Sequence, residues 1–250
     1  MPMTASELLQ AGLAEHRAGN HIAAARLYCE TLTGAPEHAD ALHLLGLLLS
    51  EQGEHGRALS LFSRALELRP HPVYLANLGL ALRRAGDLEG AIASYRQVLR
   101  MEPLHAPTLG KLGRALSESG DSAEAESVLL SAVQCDGASP ELRNALGHVR
   151  AAQGRCAEAC QDFKAALALD PAYTEAADNC ARALLQCGHE AASGGDWRRA
   201  RDLYTEACRH ASTLSAAWYH RGLAASALLL LPEARGCYER AIDLDFHCAE

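Results

Sequence analysis

The sequence predicts an all-α fold, a solenoid of about seven helix-turn-helix repeats stacked end to end. Three observations carry this expectation. Aligning the chain on the Gly of "NLG" places Gly12, Gly46, Gly79, Gly113, Gly147, Gly188 and Gly222 in one column, at spacings of 34, 33, 34, 34, 41 and 34. Seven residues downstream a second column holds Gly19, Gly53, Gly86, Gly120, Gly154 and Gly195, and Leu229 is its one departure. Between the columns, apolar residues recur at helical spacing. A period near 34 residues marks one supersecondary unit that cannot bury its apolar face alone and therefore stacks on its neighbours.

The stretch from Leu75 to Pro103 shows how one unit is built. Leu75, Leu78 and Leu82 form one stripe, Ala91, Tyr95 and Val98 a second, and "RAGD" separates them. Two helices joined by a tight turn follow. Gly86 is expected to supply the positive-φ residue that ends the first helix, and Asp87 to cap the second. Gly79 is expected to face the partner helix, where the missing side chain lets the backbones approach; its cost of about 1 kcal/mol in helix propensity must be offset by packing. Pro103 stops the second helix.

The 41-residue spacing has a physical reading as well. Seven extra residues are about two helical turns, so a helix lengthened by seven keeps its buried face almost in register. One long helix, from about Tyr173 to Ser193, is therefore expected in repeat six. It would project past its neighbours as a docking ledge, a junction between sub-stacks or a tolerated insertion. Repeat seven is expected to finish its second helix near Leu244, and "DFHCAE" stops where another first helix would begin. A stack normally ends in a capping helix with a polar outer face. The sequence would then be a fragment of a longer protein, or its bare end would pack on a partner or on a second copy.

Composition narrows the function classes. The net charge is −8 and the pI is near 5.8, so the molecule as a whole should seek neither nucleic acid nor an anionic membrane. The start, MPMTASELLQ, lacks a basic region followed by an apolar core, and the longest apolar run, around Leu223 to Leu231, is interrupted by Ser226 and too short to span a bilayer. A cytoplasmic protein is expected.

Nine Cys and 12 His invite chemistry that their placement does not support. Cys156 shares a repeat position with Leu88, Trp197 and Leu231; Cys208 with Leu32, Leu66, Leu99 and Ile242; Cys135 with Leu68, Leu169 and Leu244; Cys187 with Leu45 and Leu78. These are expected to act as small hydrophobes. Cys156 and Cys160 lie one turn apart, but no second pair or suitably spaced His accompanies them, so no metal site is expected. The histidines scatter without catalytic grouping. No Gly-x-Ser-x-Gly occurs, and Gly110-Lys111 lacks the rest of a phosphate loop. No catalytic residue, cofactor or enzymatic activity is expected.

Leu-x-x-Leu-Gly-x-x-Leu, followed by Gly, Ala, Tyr or Phe, Ala and Pro at these offsets, resembles the tetratricopeptide repeat over nearly the whole chain. Repeat two shows it in Leu42, Leu45, Gly46, Leu49, Gly53, Ala58, Phe62, Ala65 and Pro70. Repeat four departs with Leu129 for the aromatic and Gly137 for the Pro, and repeat seven with Phe246 for the Pro. The resemblance implies one right-handed superhelix over residues 1–250, with repeats at about 5–38, 39–71, 72–105, 106–139, 140–173, 174–214 and 215–248. It further implies an interaction scaffold whose first helices line a concave groove for a peptide or partner-protein segment.

Carried over position by position, repeats one and two contribute Gln10, Leu13, His16, Arg17, His43, Leu44 and Leu47. Repeats three to five contribute Asn77, Leu80, Arg83, Arg84, Lys111, Arg114, Asn144 and His148. The basic members suit an acidic partner, because Arg pairs carboxylates bidentately. Near a helix C-terminus they equally suit the helix dipole, and Glu51 and Glu118 dilute their field. The family's clamp for chaperone C-terminal carboxylates matches only in part, since His43, Leu47 and Pro107 replace the expected residues. The texture of repeats two and three is similar to N-terminal repeats of bacterial O-linked N-acetylglucosamine transferase-like and sulfotransferase proteins. That likeness implies, as an alternative, a substrate-presenting region of a larger modifying enzyme.

Overall fold

The computed structural model describes residues 3–247, and of residues 246 and 247 only the backbone. The described residues form fourteen α-helices and no strand. Repeat one is α1 (Ala5–Arg17) and α2 (His21–Gly34), repeat two α3 (Ala39–Glu51) and α4 (His55–Leu68), and repeat three α5 (Pro72–Arg84) and α6 (Leu88–Met101). Repeat four is α7 (Ala106–Ser119) and α8 (Ser122–Cys135), and repeat five α9 (Pro140–Ala152) and α10 (Cys156–Leu169). Repeat six is α11 (Thr174–Ser193) and α12 (Trp197–His210), and repeat seven α13 (Ser215–Ala227) and α14 (Leu231–His247). The chain divides into two compact units, Met1–Cys135 and Asp136–Glu250. Within each unit the helices of a repeat pack as a hairpin, and each new first helix packs against the second helix before it.

The two Gly columns have different jobs. The first sits where helix meets helix: a Cβ on Gly79 would lie 2.7 Å from the ring of Tyr95, one on Gly188 2.3 Å from the ring of Tyr204, and one on Gly46 3.2 Å from Phe62. These rings fill the space the glycines leave. Tyr28, Phe62 and Tyr95 are fully buried, each a burial of roughly 1.5–3 kcal/mol. In repeat four Leu129 takes the ring's place against Gly113.

The second column reverses the chain. Gly86 has φ of +87°, and the Asp87 and Gly86 N–H groups return to the Leu82 and Arg83 carbonyls at 2.9 and 3.1 Å, closing a Schellman turn. Asp87 then caps α6 by accepting from the Gly90 N–H at 2.9 Å. All six glycines of the column have positive φ, and Leu229 adopts φ of +60° in the same place.

Repeat six carries the long helix: α11 has 20 residues, against 13 in α5 and in α9. Its extra turns, before Ala181, bury the small residues Ala176 and Cys180 on the face that Ala181, Leu184 and Gly188 continue. At the other extreme, α14 runs on to His247, beyond the expected end near Leu244. The reason is local. Pro36, Pro70, Pro103 and Pro171 follow second helices elsewhere, and Phe246 stands in their place. The last three residues of "DFHCAE" lie outside the described residues.

Cysteine placement follows the repeat with one correction. Cys156, Cys160, Cys180, Cys208 and Cys237 are buried, as small hydrophobes should be. Burial pushes the thiols of Cys156, Cys180 and Cys208 up to about 11, so they are protonated and unreactive at neutral pH. Cys135 is exposed instead. Its repeat position faces outward, for Leu68 and Leu169 there are also exposed. No described helix is long and apolar enough to cross a membrane.

Candidate binding surface on the first helices

In the 1–135 unit, α5 and α7 lie side by side and carry six of the expected groove residues. α5 opens with Pro72 at its first turn and a cap in which the His71 Nδ1 accepts from the Val73 N–H at 3.2 Å. It closes on Arg83 and Arg84, where the dipole favours cations. α7 places Lys111 and Arg114 one turn apart.

Asn77 is half-buried and turned toward repeat two, its Nδ2 2.8 Å from His43 Nε2. His43 is 6% exposed, stacked on Tyr74 at 4.5 Å between centroids and tilted against Phe62. Burial depresses its pKa to about 4, against the pull of Asp40. The ring is thus neutral near pH 7, and its Nε2 accepts from Asn77. Beside it, the Tyr74 hydroxyl donates to Asp40 at 2.5 Å, and Arg69 bonds both the hydroxyl and the carboxylate. Burial pushes the Asp40 carboxyl up, but the bonds from Tyr74 and Arg69 hold it below the usual range.

The cations differ in how far they are spent. Arg83 is paired with Glu118 at 2.5 Å, so the dilution expected from Glu118 is real. Leu80 is half-buried. Arg84 and Arg114 are exposed, Lys111 is half-buried, and none of the three has an ion pair among the described residues. Burial alone lowers the Lys111 ammonium pKa. Arg83 and Arg114 both act on the buried Tyr95 hydroxyl, which desolvation pushes up to about 12.

The remaining two expected residues belong to the 136–250 unit. His148 is exposed on α9. Asn144 is 5% exposed: its Nδ2 faces Tyr173 Oη and Glu175 Oε1, both at 3.2 Å, and its Oδ1 accepts from Asn179 at 3.1 Å. Its amide ties α9 to α11. Nearby, Asp162 is buried with Arg150 at 2.7 Å and Arg143 at 3.7 Å; desolvation still raises its pKa above the usual carboxylate value.

Two clusters escaped the sequence reading. One is the Asp40–Arg69–Tyr74 knot. The other gathers histidines that were expected to scatter: His16 and His21, with Glu51, bring one ligand atom each to within 4.8 Å of one another. A signal for both was present. Tyr74 lies 34 residues from Asp40 and Glu51 lies 35 from His16, about one repeat, so columns read in neighbouring pairs would have joined them.

Two models of the tetratricopeptide repeat match residues 9–71 and 82–149, together just over half of the chain. The chain belongs to the tetratricopeptide repeat family. Among its relatives, "Cellulose synthase 2 operon protein C" of Komagataeibacter xylinus is 35% identical over 124 residues, 48% of this chain and 9% of that protein. "Probable biofilm formation methyltransferase WspC" of Pseudomonas putida is 40% identical over 89 residues, 35% of this chain and 21% of that protein. This tetratricopeptide repeat chain thus spans only a small part of the curated relatives it matches. The crystal structure of MamA superposes with a TM-score of 0.57 at 26% identity, covering 69% of this chain and 96% of that one.

Proposed function

We propose that this tetratricopeptide repeat protein is a non-catalytic scaffold that holds an acidic, extended segment of a partner protein against α5 and α7. Arg84, Lys111 and Arg114 supply the charge, Leu80 offers contact, and Asn77, its Nδ2 engaged by His43, offers its Oδ1 as an acceptor for a backbone N–H. One observation supports the reading most: three cations with no ion pair among the described residues stand on two adjacent first helices of a chain whose net charge is −8. A half-buried ammonium is paid for in desolvation, and an incoming carboxylate recovers part of that cost. Arg83 joins only by exchanging Glu118 for the ligand, and Asn144 already has its partners. His148 is the one expected residue of the other unit that faces solvent.

Fluorescence anisotropy with a labelled Glu-rich peptide tests this at low salt. Binding should weaken at least tenfold in Arg84→Glu/Lys111→Glu and should fall as salt rises. A Lys-rich peptide that binds equally well, or a double variant that binds normally, would sink the proposal.

A second reading is favoured by the match to part of WspC: the repeats present substrate to a modifying enzyme's catalytic domain. The genomic reading frame after Glu250 decides it. A catalytic domain in frame supports this reading, and an immediate stop removes most of its weight.

A further inference from the structure

We infer that His16, His21 and Glu51 form a binding site for a single divalent transition-metal ion of borderline softness, such as zinc(II) or cobalt(II), at the turn end of repeats one and two. The three residues come from three helices. His16 is in the last turn of α1, His21 is the first residue of α2, and Glu51 is the last residue of α3. Gly19, at φ of +79°, reverses the chain between the two histidines, so rings five residues apart meet edge to face with centroids 5.7 Å apart. Glu51 reaches across from the next repeat to set its Oε2 3.0 Å from His16 Nε2.

Ligand identity and spacing both suit such an ion. Metal–nitrogen and metal–oxygen bonds near 2.1 Å place the ligand atoms of a tetrahedral site roughly 3.3 Å apart. One pair already stands at 3.0 Å, and all three atoms lie within 4.8 Å, so small side-chain rotations close the site. Two imidazoles and one carboxylate select zinc-like ions over magnesium or calcium, which favour all-oxygen shells. His16 Nδ1 lies 3.3 Å from the Tyr28 hydroxyl, and Tyr28 is fully buried; this fixes the ring with Nε2 toward Glu51, as metal-bound histidines are usually held. His21 Nδ1 is buried without a hydrogen-bond partner among the described residues, so that nitrogen is not satisfied by the protein.

The repeat supplies internal controls. At the next boundary the same three positions hold Ser50, His55 and Arg84, and at the one after that Arg83, Leu88 and Glu118. The Arg83–Glu118 pair at 2.5 Å repeats the His16–Glu51 contact and confirms that the backbone brings these two positions together. His55 Nδ1 is also buried and unpartnered, yet its column neighbours are a hydroxyl and a guanidinium. Only the first boundary combines two imidazoles with a carboxylate. Bound there, an ion would clip the turn of repeat one to the end of α3 and leave a fourth position open to solvent.

The test is titration of the full chain with cobalt(II), followed by visible absorption, with zinc(II) as competitor. One equivalent should bind with weak d–d bands and without the thiolate charge-transfer band that a cysteine site gives. Losing only a group that hydrogen-bonds a metal ligand costs about 10–100-fold in metal affinity, so Glu51→Gln and His21→Gln, which remove ligands themselves, should each weaken binding at least tenfold. Glu51→Gln keeps a hydrogen-bond acceptor for His16, and circular dichroism verifies its fold. His55→Gln should bind as the parent does. Absence of a one-equivalent site, a thiolate band at full strength, or variants that bind normally would overturn the assignment.

Discussion

The boundary between repeats two and three and the boundary between repeats five and six use the same column for opposite chemistry. Three residues before the first-column Gly, repeat two has His43 and repeat five has Asn144, and both side chains are buried against the following repeat. His43 stacks on Tyr74 and bonds Asn77, beside the Asp40–Arg69–Tyr74 knot. Asn144 instead shares its amide among Tyr173, Glu175 and Asn179. The backbone frame is constant, so the difference lies wholly in the groups that join repeats. An imidazole titrates in the accessible pH range; an amide side chain does not.

The largest expected effect follows from that difference. His43 has its pKa depressed from 6.5 to about 4, so the unfolded chain binds the proton more readily than the folded one. Stability is fully present above pH 6.5 and is lost as pH falls toward 4, by up to about 3 kcal/mol. Protection factors of the α3 and α5 amides, taken relative to the intrinsic exchange rate at each pH, should fall over that window, with those of α9 and α11 falling much less. His43→Phe, which keeps the stacking and cannot titrate, should flatten the profile. An unchanged profile in that variant would place the titrating group elsewhere.

Asn144→Leu probes the other seam. It removes the amide from a buried position and strands the groups around it, a cost of about 2 kcal/mol. Protection factors in α9 and α11 should fall by the corresponding factor at pH 6.5. No change would mean that packing around Ala176 and Cys180 holds these repeats together without the amide.

Most of the frame was legible in the sequence, and most of the seams were not. Gly79, Gly86, Asp87 and Pro103 act as their residue types dictate, because each serves its own hairpin. The same is true of α11, whose seven extra residues preserve the helical register. Cys135 misled, since its column is apolar in composition yet faces outward. Groove positions carried over from the family separate in the structure: Arg83 is neutralised by Glu118 and Asn144 is consumed by repeat six, while Arg84, Lys111 and Arg114 have no ion pair among the described residues. Those outcomes depend on residues about one repeat away, which the spacing within a single repeat does not encode. His16, His21 and Glu51 were hidden for the same reason.

The constant columns should respond alike in both units, scaled by local clearance. Gly188→Ala sets a Cβ 2.3 Å from the Tyr204 ring, whereas Gly46→Ala meets Phe62 at 3.2 Å. Overpacking typically costs about 1–3 kcal/mol, and Ala returns about 1 kcal/mol of helix propensity. Gly188→Ala should therefore destabilise its unit by about 1–2 kcal/mol, and Gly46→Ala should be near neutral. Thermal melting of the two variants in parallel checks the ranking; equal losses would show that backbone shift, not ring clearance, sets the cost.

The smallest effect is expected at the one place where the second column departs from glycine. Leu229 holds φ of +60°, a conformation that costs a side-chain-bearing residue roughly 1–2 kcal/mol. It is 81% exposed, so its side chain returns little through burial. Leu229→Gly removes the strain, while the freer unfolded chain takes part of the gain back, leaving a stabilisation of about 1 kcal/mol. Gly53→Leu should move the other way by a similar amount, since Gly53 makes the same turn at φ of +83° with open space where a Cβ would stand. If Leu229→Gly instead lowers the melting temperature of the 136–250 unit, the exposed leucine is anchoring the turn between α13 and α14. Repeat seven would then have exchanged the glycine for a contact that no other repeat makes.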